Sequence, residues 1–216
     1  MRELVLKISM SIDGFVGGPN GEVDWLFGSL DPESTSWIID TLAGAAVHVM
    51  GRRTYQDMAA HWPVSSEPYA KPMNEIPKAV FSRSGGVRPD RSQATKSLQD
   101  AEHRLTHEQR SASPEASPSW PSWVGAQVFS DLRAGIAQLK QGTGGYVLAH
   151  GGAGFVQSLV AHDLIDEYHL LVHPVAVGSG LPIFSMIPEA RHFRLERSIS
   201  FPKGIVGNVY RPSQLS

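Results

Sequence analysis

The chain has 216 residues and no cysteine, and 19 basic against 21 acidic residues give a formal charge of −2. This excludes disulfide staples, thiolate metal sites and a cysteine nucleophile, and it lacks the basic excess of a nucleic-acid binder. No run reaches the ~18 apolar residues of a membrane span, and Met1–Met10 does not read as a signal peptide, so a soluble, cytoplasmic protein without a membrane partner is expected.

In chain order, Leu4 to Met10 is short, β-rich and partly alternating, and reads as a strand. Ser11 to Asp24 is crowded with glycine and is a long loop, the kind that commonly carries function. Ser34 is placed as the cap of a helix running to about Ala43. Ala45 to Met50 reads as a buried strand, and Gly51-Arg52-Arg53-Thr54 as a turn into a helix near Tyr55 to Ala60. Lys78 to Ser82 is a third strand and Gln127 to Ser130 a fourth, with Asp131 capping a helix through Lys140. Gly145 to His150 is a fifth strand, followed by a glycine turn and a helix to about Ala161. Asp166 to Val175 is a sixth. His192–Phe201 and Ile205–Arg211, joined at Pro202-Lys203-Gly204, form a terminal hairpin. Strands alternating with helices predict an α/β class with a mostly parallel sheet flanked by helices, and the hairpin adds an antiparallel edge. Ser84 to Ser122 is polar and proline-rich, with at most a polar helix over Ser97 to Arg110. It is read as an insertion, about 84–122, in a single domain spanning 1–216.

Two strand-to-helix junctions are rich in glycine: Met50-Gly51-Arg52-Arg53-Thr54-Tyr55 and His150-Gly151-Gly152-Ala153-Gly154-Phe155. A helix N-terminus presents unpaired N–H groups and a positive dipole end, and glycine lets a phosphate approach closely. Two such sites suit a ligand with several phosphates, such as a dinucleotide. Each taken singly also reads as an ordinary turn at a strand end.

S-I-D-G-F-V-G at Ser11–Gly17, M-G-R-R-T-Y at Met50–Tyr55, K-A-V-F-S-R at Lys78–Arg83 and H-G-G-A-G at His150–Gly154 come in that order. They are followed by D-L-I-D-E-Y-H-L-L-V-H-P-V-A-V-G-S-G-L-P-I-F, from Asp163 to Phe184. Together they resemble the dihydrofolate-reductase-like superfamily. The similarity is greatest to the branch holding the reductase domain of the bifunctional riboflavin-pathway deaminase–reductase and its stand-alone relatives. The resemblance implies that fold and NADPH as cofactor. It implies that Arg52 and Thr54, with Gly51 and Arg53 beside them, hold cofactor phosphates. Ser82 and Arg83, after Phe81, would meet the 2′-phosphate, where a guanidinium suits phosphate by bidentate bonding. Gly151 and Gly152, within the His150, Ala153, Gly154 and Phe155 turn, would let the pyrophosphate sit on the next helix. The Asp13–Gly18 loop, including Val16 and Gly17, would close over the nicotinamide and exclude water. A homodimer is implied as well.

The departures bear on the substrate. Dihydrofolate reductases proper carry P-W-x-L-P-x-D/E after the loop, whereas this chain has Val23-Asp24-Trp25-Leu26-Phe27-Gly28. Their arginine clamp for the folate tail falls at Ile76. Dihydrofolate is therefore not the expected main substrate. Asp13 is the candidate proton donor, or else an Asx-turn residue organising the loop with Gly14. Asp24, Trp25, Met58 and Trp62 are candidate substrate contacts, or else loop solvation (Asp24) and core.

Of the nine histidines, His103 and His107 share a helical spacing without a third ligand. His169 and His173 lie ~13 Å apart if on a strand, so no metal site is expected. The resulting expectation is an NADPH-dependent reductase passing hydride to a C=N or C=O group of a small pteridine-, pyrimidine- or ribosylamine-like substrate. The alternatives are an NADPH-binding module without catalysis or a true dihydrofolate reductase. A Rossmann enzyme would need an acid ~20 residues past the glycine turn, and Leu171–Val175 offers none.

Overall fold

The computed structural model describes residues 1–85, 87 and 121–213. Its elements are β1 (Leu4–Ser11), a 3-10 turn (Asp24–Ser29), α1 (Pro32–Ala43), β2 (Ala45–Gly51) and α2 (Arg52–His61). A second 3-10 turn (Trp62–Val64), α3 (Ala70–Glu75), β3 (Lys78–Phe81), α4 (Pro121–Val124) and β4 (Gln127–Phe129) follow. The chain continues with α5 (Leu132–Lys140), β5 (Tyr146–Ala149), α6 (Ala153–Ala161), β6 (Glu167–His173), β7 (His192–Ser200) and β8 (Val206–Ser213).

The strands form an eight-stranded sheet in the order β4-β3-β2-β5-β1-β6-β8-β7. From β4 to β6 every pairing is parallel, and β6–β8 and β7–β8 are antiparallel. The expected mostly parallel sheet with a terminal hairpin is what the chain forms. Most of the near-continuous apolar runs of β1, β2 and β5 follow from burial on both faces. Leu4, Leu6, Val147, Ala149, Tyr168 and Leu170 meet Ile136 of α5 and Val156 and Leu159 of α6 on one face. Val5, Leu148 and Leu171 meet Ile38 and Leu42 of α1, Tyr55 of α2 and Trp123 of α4 on the other. Each fully buried aliphatic side chain contributes roughly 1.5–3 kcal/mol.

Three expectations need correction. Asp31, not Ser34, caps α1: its carboxylate accepts from the Ser34 N–H at 2.8 Å, while the Ser34 hydroxyl answers the Asp31 N–H at 3.0 Å. Pro32 at the first helical position has its φ preset for this reciprocal cap. Next, α2 begins at Arg52 rather than after a turn, because extended Gly51 (φ −74°, ψ 162°) already serves as its N-cap. Finally, the polar insertion ends before α4. The side chain of Trp123 is buried there, donating its indole N–H to Asn74 Oδ1 at 2.8 Å and lying under the Lys78 amine at 4.6 Å. The helix expected over Ser97 to Arg110, with His103 and His107, lies outside the described residues.

Asp131 caps α5 as expected, accepting from the Ala134 N–H at 2.8 Å. Among the described residues, no helix is long and apolar enough to cross a membrane.

Candidate functional site

β2 and β5 are parallel neighbours, so the two glycine junctions that follow them stand side by side. They interlock closely. A Cβ on Gly51 would lie 3.2 Å from Phe155 Cβ, and one on Gly152 would lie 2.5 Å from Thr54 Oγ1. Gly152 also holds φ +98°, a conformation side-chain-bearing residues rarely adopt. Neither α2 nor α6 has a side-chain cap, so two helix N-termini with open N–H groups converge at the carboxyl ends of central strands, where open α/β sheets bind ligands.

Next to them, Arg52 Nη1 donates to Ser84 Oγ at 2.7 Å, and Ser84 Oγ lies 3.3 Å from Ser82 Oγ. This brings the first junction together with the end of β3. Phe81 stacks between Phe129 and Phe155, both with ring centroids 5.4 Å away, and stiffens the floor beneath. Arg53 and Arg83 are exposed on the rim. Ala153 and Gly154 form the first turn of α6, and an added Cβ on Gly151 or Gly154 would meet open space. The predicted phosphate residues are thus gathered in one place, with one exception. The ring of His150 turns away, buried against His48 with centroids 4.6 Å apart.

The loop after β1 is sewn to the segment after β6. Val16 N–H bonds to Leu181 O at 3.0 Å, and Leu181 N–H to Gly17 O at 2.9 Å. The Asp13 carboxylate accepts from the main-chain N–H groups of Gly178 at 2.7 Å and Val177 at 3.1 Å. Hydrogen bonding from the Ser11 hydroxyl, then from these amides, holds Asp13 below the usual carboxylate range. A carboxylate so engaged releases its proton readily and donates poorly at neutral pH, so the geometry favours a loop anchor over a proton donor. Asp13→Ala is accordingly expected to speed amide hydrogen exchange at Val177 and Gly178 while leaving the pH profile of turnover in place. A displaced pH profile would restore Asp13 as the acid.

The face of the sheet under α1 turns polar toward the carboxyl ends. Register puts Lys7 of β1 beside His169 of β6, and Ser11 beside His173. His150 follows β5 on the same face. Lys7 makes no hydrogen bond or ion pair among the described residues, and burial pulls its amine down to about 8. Desolvation also holds the nearby histidines neutral: His173 falls to about 4 and His150 well below its ordinary value, each lowered further by neighbouring charge including that of Lys7.

His173 Nδ1 lies 2.7 Å from Ser29 Oγ, and the edge of the Trp25 ring rests on it at 5.8 Å. Trp25, in the turn that Asp24 opens, therefore sits at this face. Met58 and Trp62 belong to the apolar cluster of the same sheet face: Met58 is half-buried against it, and Trp62 is buried within it beside Tyr69 at 6.2 Å. Trp62 opens the 3-10 turn after α2 and is buried.

Lys7 carries little signal in the sequence. It is a lone lysine interrupting an apolar strand, in a chain with several lysines. Among the described residues, no three histidine or acidic side chains are grouped to hold a metal ion.

The model of the RibD C-terminal domain family matches residues 2–207. YwjB, an uncharacterised protein of Bacillus subtilis, is 28% identical over 204 residues, covering 94% of this chain and 95% of its own. The structure of a protein of Shewanella sp. PV-4 assigned to riboflavin biosynthesis superposes with a TM-score of 0.68 at 21% identity, covering 99% of this chain and 100% of that one. Dihydrofolate reductase from Enterococcus faecalis, in a complex with NADP(H), superposes with a TM-score of 0.57 at 13% identity, covering 98% and 97%. With the family model spanning nearly its whole length, the chain belongs to the RibD C-terminal domain family and has the dihydrofolate-reductase-like fold.

Proposed function

We propose that this chain is an NADPH-dependent reductase that delivers hydride to a C=N or C=O carbon of a small substrate, in the manner of the riboflavin-pathway reductase it resembles. The observation that carries this reading is the interlock of Gly51 and Thr54 with Gly152 and Phe155. It sets two uncapped helix N-termini against one space, and a dinucleotide diphosphate fits such a cradle. Arg52, Thr54, Ser82 and Ser84 line its side, and Arg83 on the rim is the partner assigned to a 2′-phosphate.

NADPH bound there would supply the hydride, and the chain's own residues do the rest. Trp25 and the anchored loop from Asp13 to Gly18 exclude water from the reacting face. The Lys7 amine, poised near neutrality, gives its proton to the substrate nitrogen or oxygen as hydride arrives at carbon. Asp31 is unsuited to that task, because its carboxylate already accepts from Ser34 N–H at 2.8 Å and Lys203 N–H at 3.1 Å.

Fluorescence titration with NADPH and NADH tests the reading directly. Arg83→Ala is expected to weaken NADPH binding by about 10- to 100-fold, the worth of one or two charge-assisted bonds, and to leave NADH unchanged. Equal or absent binding of the two cofactors by the wild type would overturn the assignment. NADPH binding without consumption of any carbonyl or imine would favour a binding module. The expected homodimer is read by sedimentation, as twice the 23.5 kDa of the chain.

A further inference from the structure

We propose that His169 is a positioning residue for Lys7: Arg211 and Glu167 lock its tautomer so that a bare ring nitrogen takes a hydrogen bond from the lysine amine. The inference rests on the role given to Lys7 above. His169 Nε2 lies 2.6 Å from Glu167 Oε1. A carboxylate only accepts, so Nε2 carries the ring proton and Nδ1 is left as a lone pair. The carboxylate is itself fixed. Its other oxygen is 2.7 Å from Arg211, whose guanidinium also grips Glu3 with two bonds of 2.8 Å.

His169 Nδ1 is buried with no partner, and Lys7, its register neighbour on the adjacent parallel strand, has none among the described residues. A buried acceptor and a cationic donor left unpaired side by side are both costly. One N–H···N bond between them would relieve both.

The charged and titratable groups around this pair are His150 after β5, His173 further along β6, Arg197 on β7 and Arg211 on β8, with Lys78 beyond His150. From α1 the ring of Trp37 lies tilted on His169 at 5.4 Å. His173 is the rival acceptor. Its Nδ1 is turned to the Ser29 hydroxyl and the Leu26 carbonyl, leaving Nε2 bare and buried. It stands opposite Ser11, however, at the end of the strand rather than beside Lys7.

The test needs neither cofactor nor substrate: NMR titration of lysine-labelled protein, with the Lys7 signal assigned through Lys7→Arg. His169→Phe is expected to lower the Lys7 midpoint by about one pH unit, a tenfold change in its proton affinity. His169→Gln, whose amide oxygen can accept from Lys7 while its N–H reaches Glu167, restores most of the loss. In labelled histidine spectra His169 reads as the Nε2–H tautomer, and Glu167→Gln mixes the two tautomers. An unmoved Lys7 midpoint in His169→Phe would overturn the proposal, as would a shift produced by His173→Leu alone. Either result leaves the hydride-transfer reading standing, since that reading falls only with NADPH binding and turnover.

Discussion

Lys7→Met is expected to slow NADPH oxidation about a thousand-fold, within the usual worth of a positioned acid, while the folded protein becomes more stable at pH 7. The two effects have one cause. The amine of Lys7 titrates at about 8 in the folded protein against an ordinary value of 10.5, because burial disfavours its charge. Below pH 8 the lysine is charged in both states, and the folded state bears the full cost of the buried cation. Between 8 and 10.5 the folded amine is neutral while the unfolded chain still binds the proton, so stability rises with pH. Above 10.5 neither state is charged and the cost has gone.

The shift sets an upper bound of roughly 3 kcal/mol on what methionine could recover at neutral pH. Denaturant midpoints at pH 7 and pH 11, measured beside turnover, check both halves. The advantage of the methionine variant should shrink at the higher pH. Unchanged turnover would remove Lys7 from the chemistry, and a less stable variant at pH 7 would mean that the amine is better solvated than its setting indicates.

The second large effect separates two adjacent glycines. Gly151→Val is expected to fold like the wild type but to bind NADPH about 10- to 100-fold more weakly, because a side chain there projects into open space where the diphosphate would lie. Gly152→Val should lose both affinity and stability. Its Cβ would stand 2.5 Å from Thr54 Oγ1, and φ of +98° is strained for any side chain. The backbone strain alone is about 1–3 kcal/mol. Thermal unfolding and cofactor titration of the two variants together decide it. Equal stabilities would show that the Gly152 backbone relaxes, and undiminished NADPH binding by Gly151→Val would move the diphosphate elsewhere.

Much of the fold was legible because its signals are local. The apolar run Leu4–Ile8, the Asp131 cap and the Pro202-Lys203-Gly204 turn each announce an element from within a few residues. The junction residues Gly51 to Thr54 and His150 to Phe155 were legible in the same way. Glycine between a strand and a helix lets backbone or ligand come close, and here it does so at two junctions in the expected order. Asp31 shows where local reading failed: Ser34 satisfies the same cap pattern, and only the reciprocal bonds say which of the two is the cap.

By itself the sequence determined the element order, the α/β class, the mostly parallel sheet and the set of residues at the glycine junctions, because periodicity, capping and turn chemistry act between near neighbours. Tertiary structure alone decided which of those residues meet. Thr54 stands against Gly152, and Lys7 against His169, across strands joined by the parallel order β2-β5-β1-β6. It set the Asp13 carboxylate against the Val177 and Gly178 amides, and buried Trp62. It also gave Lys7 its lowered affinity for protons, since desolvation depends on what every other element places around a group, and no spacing along the chain encodes that.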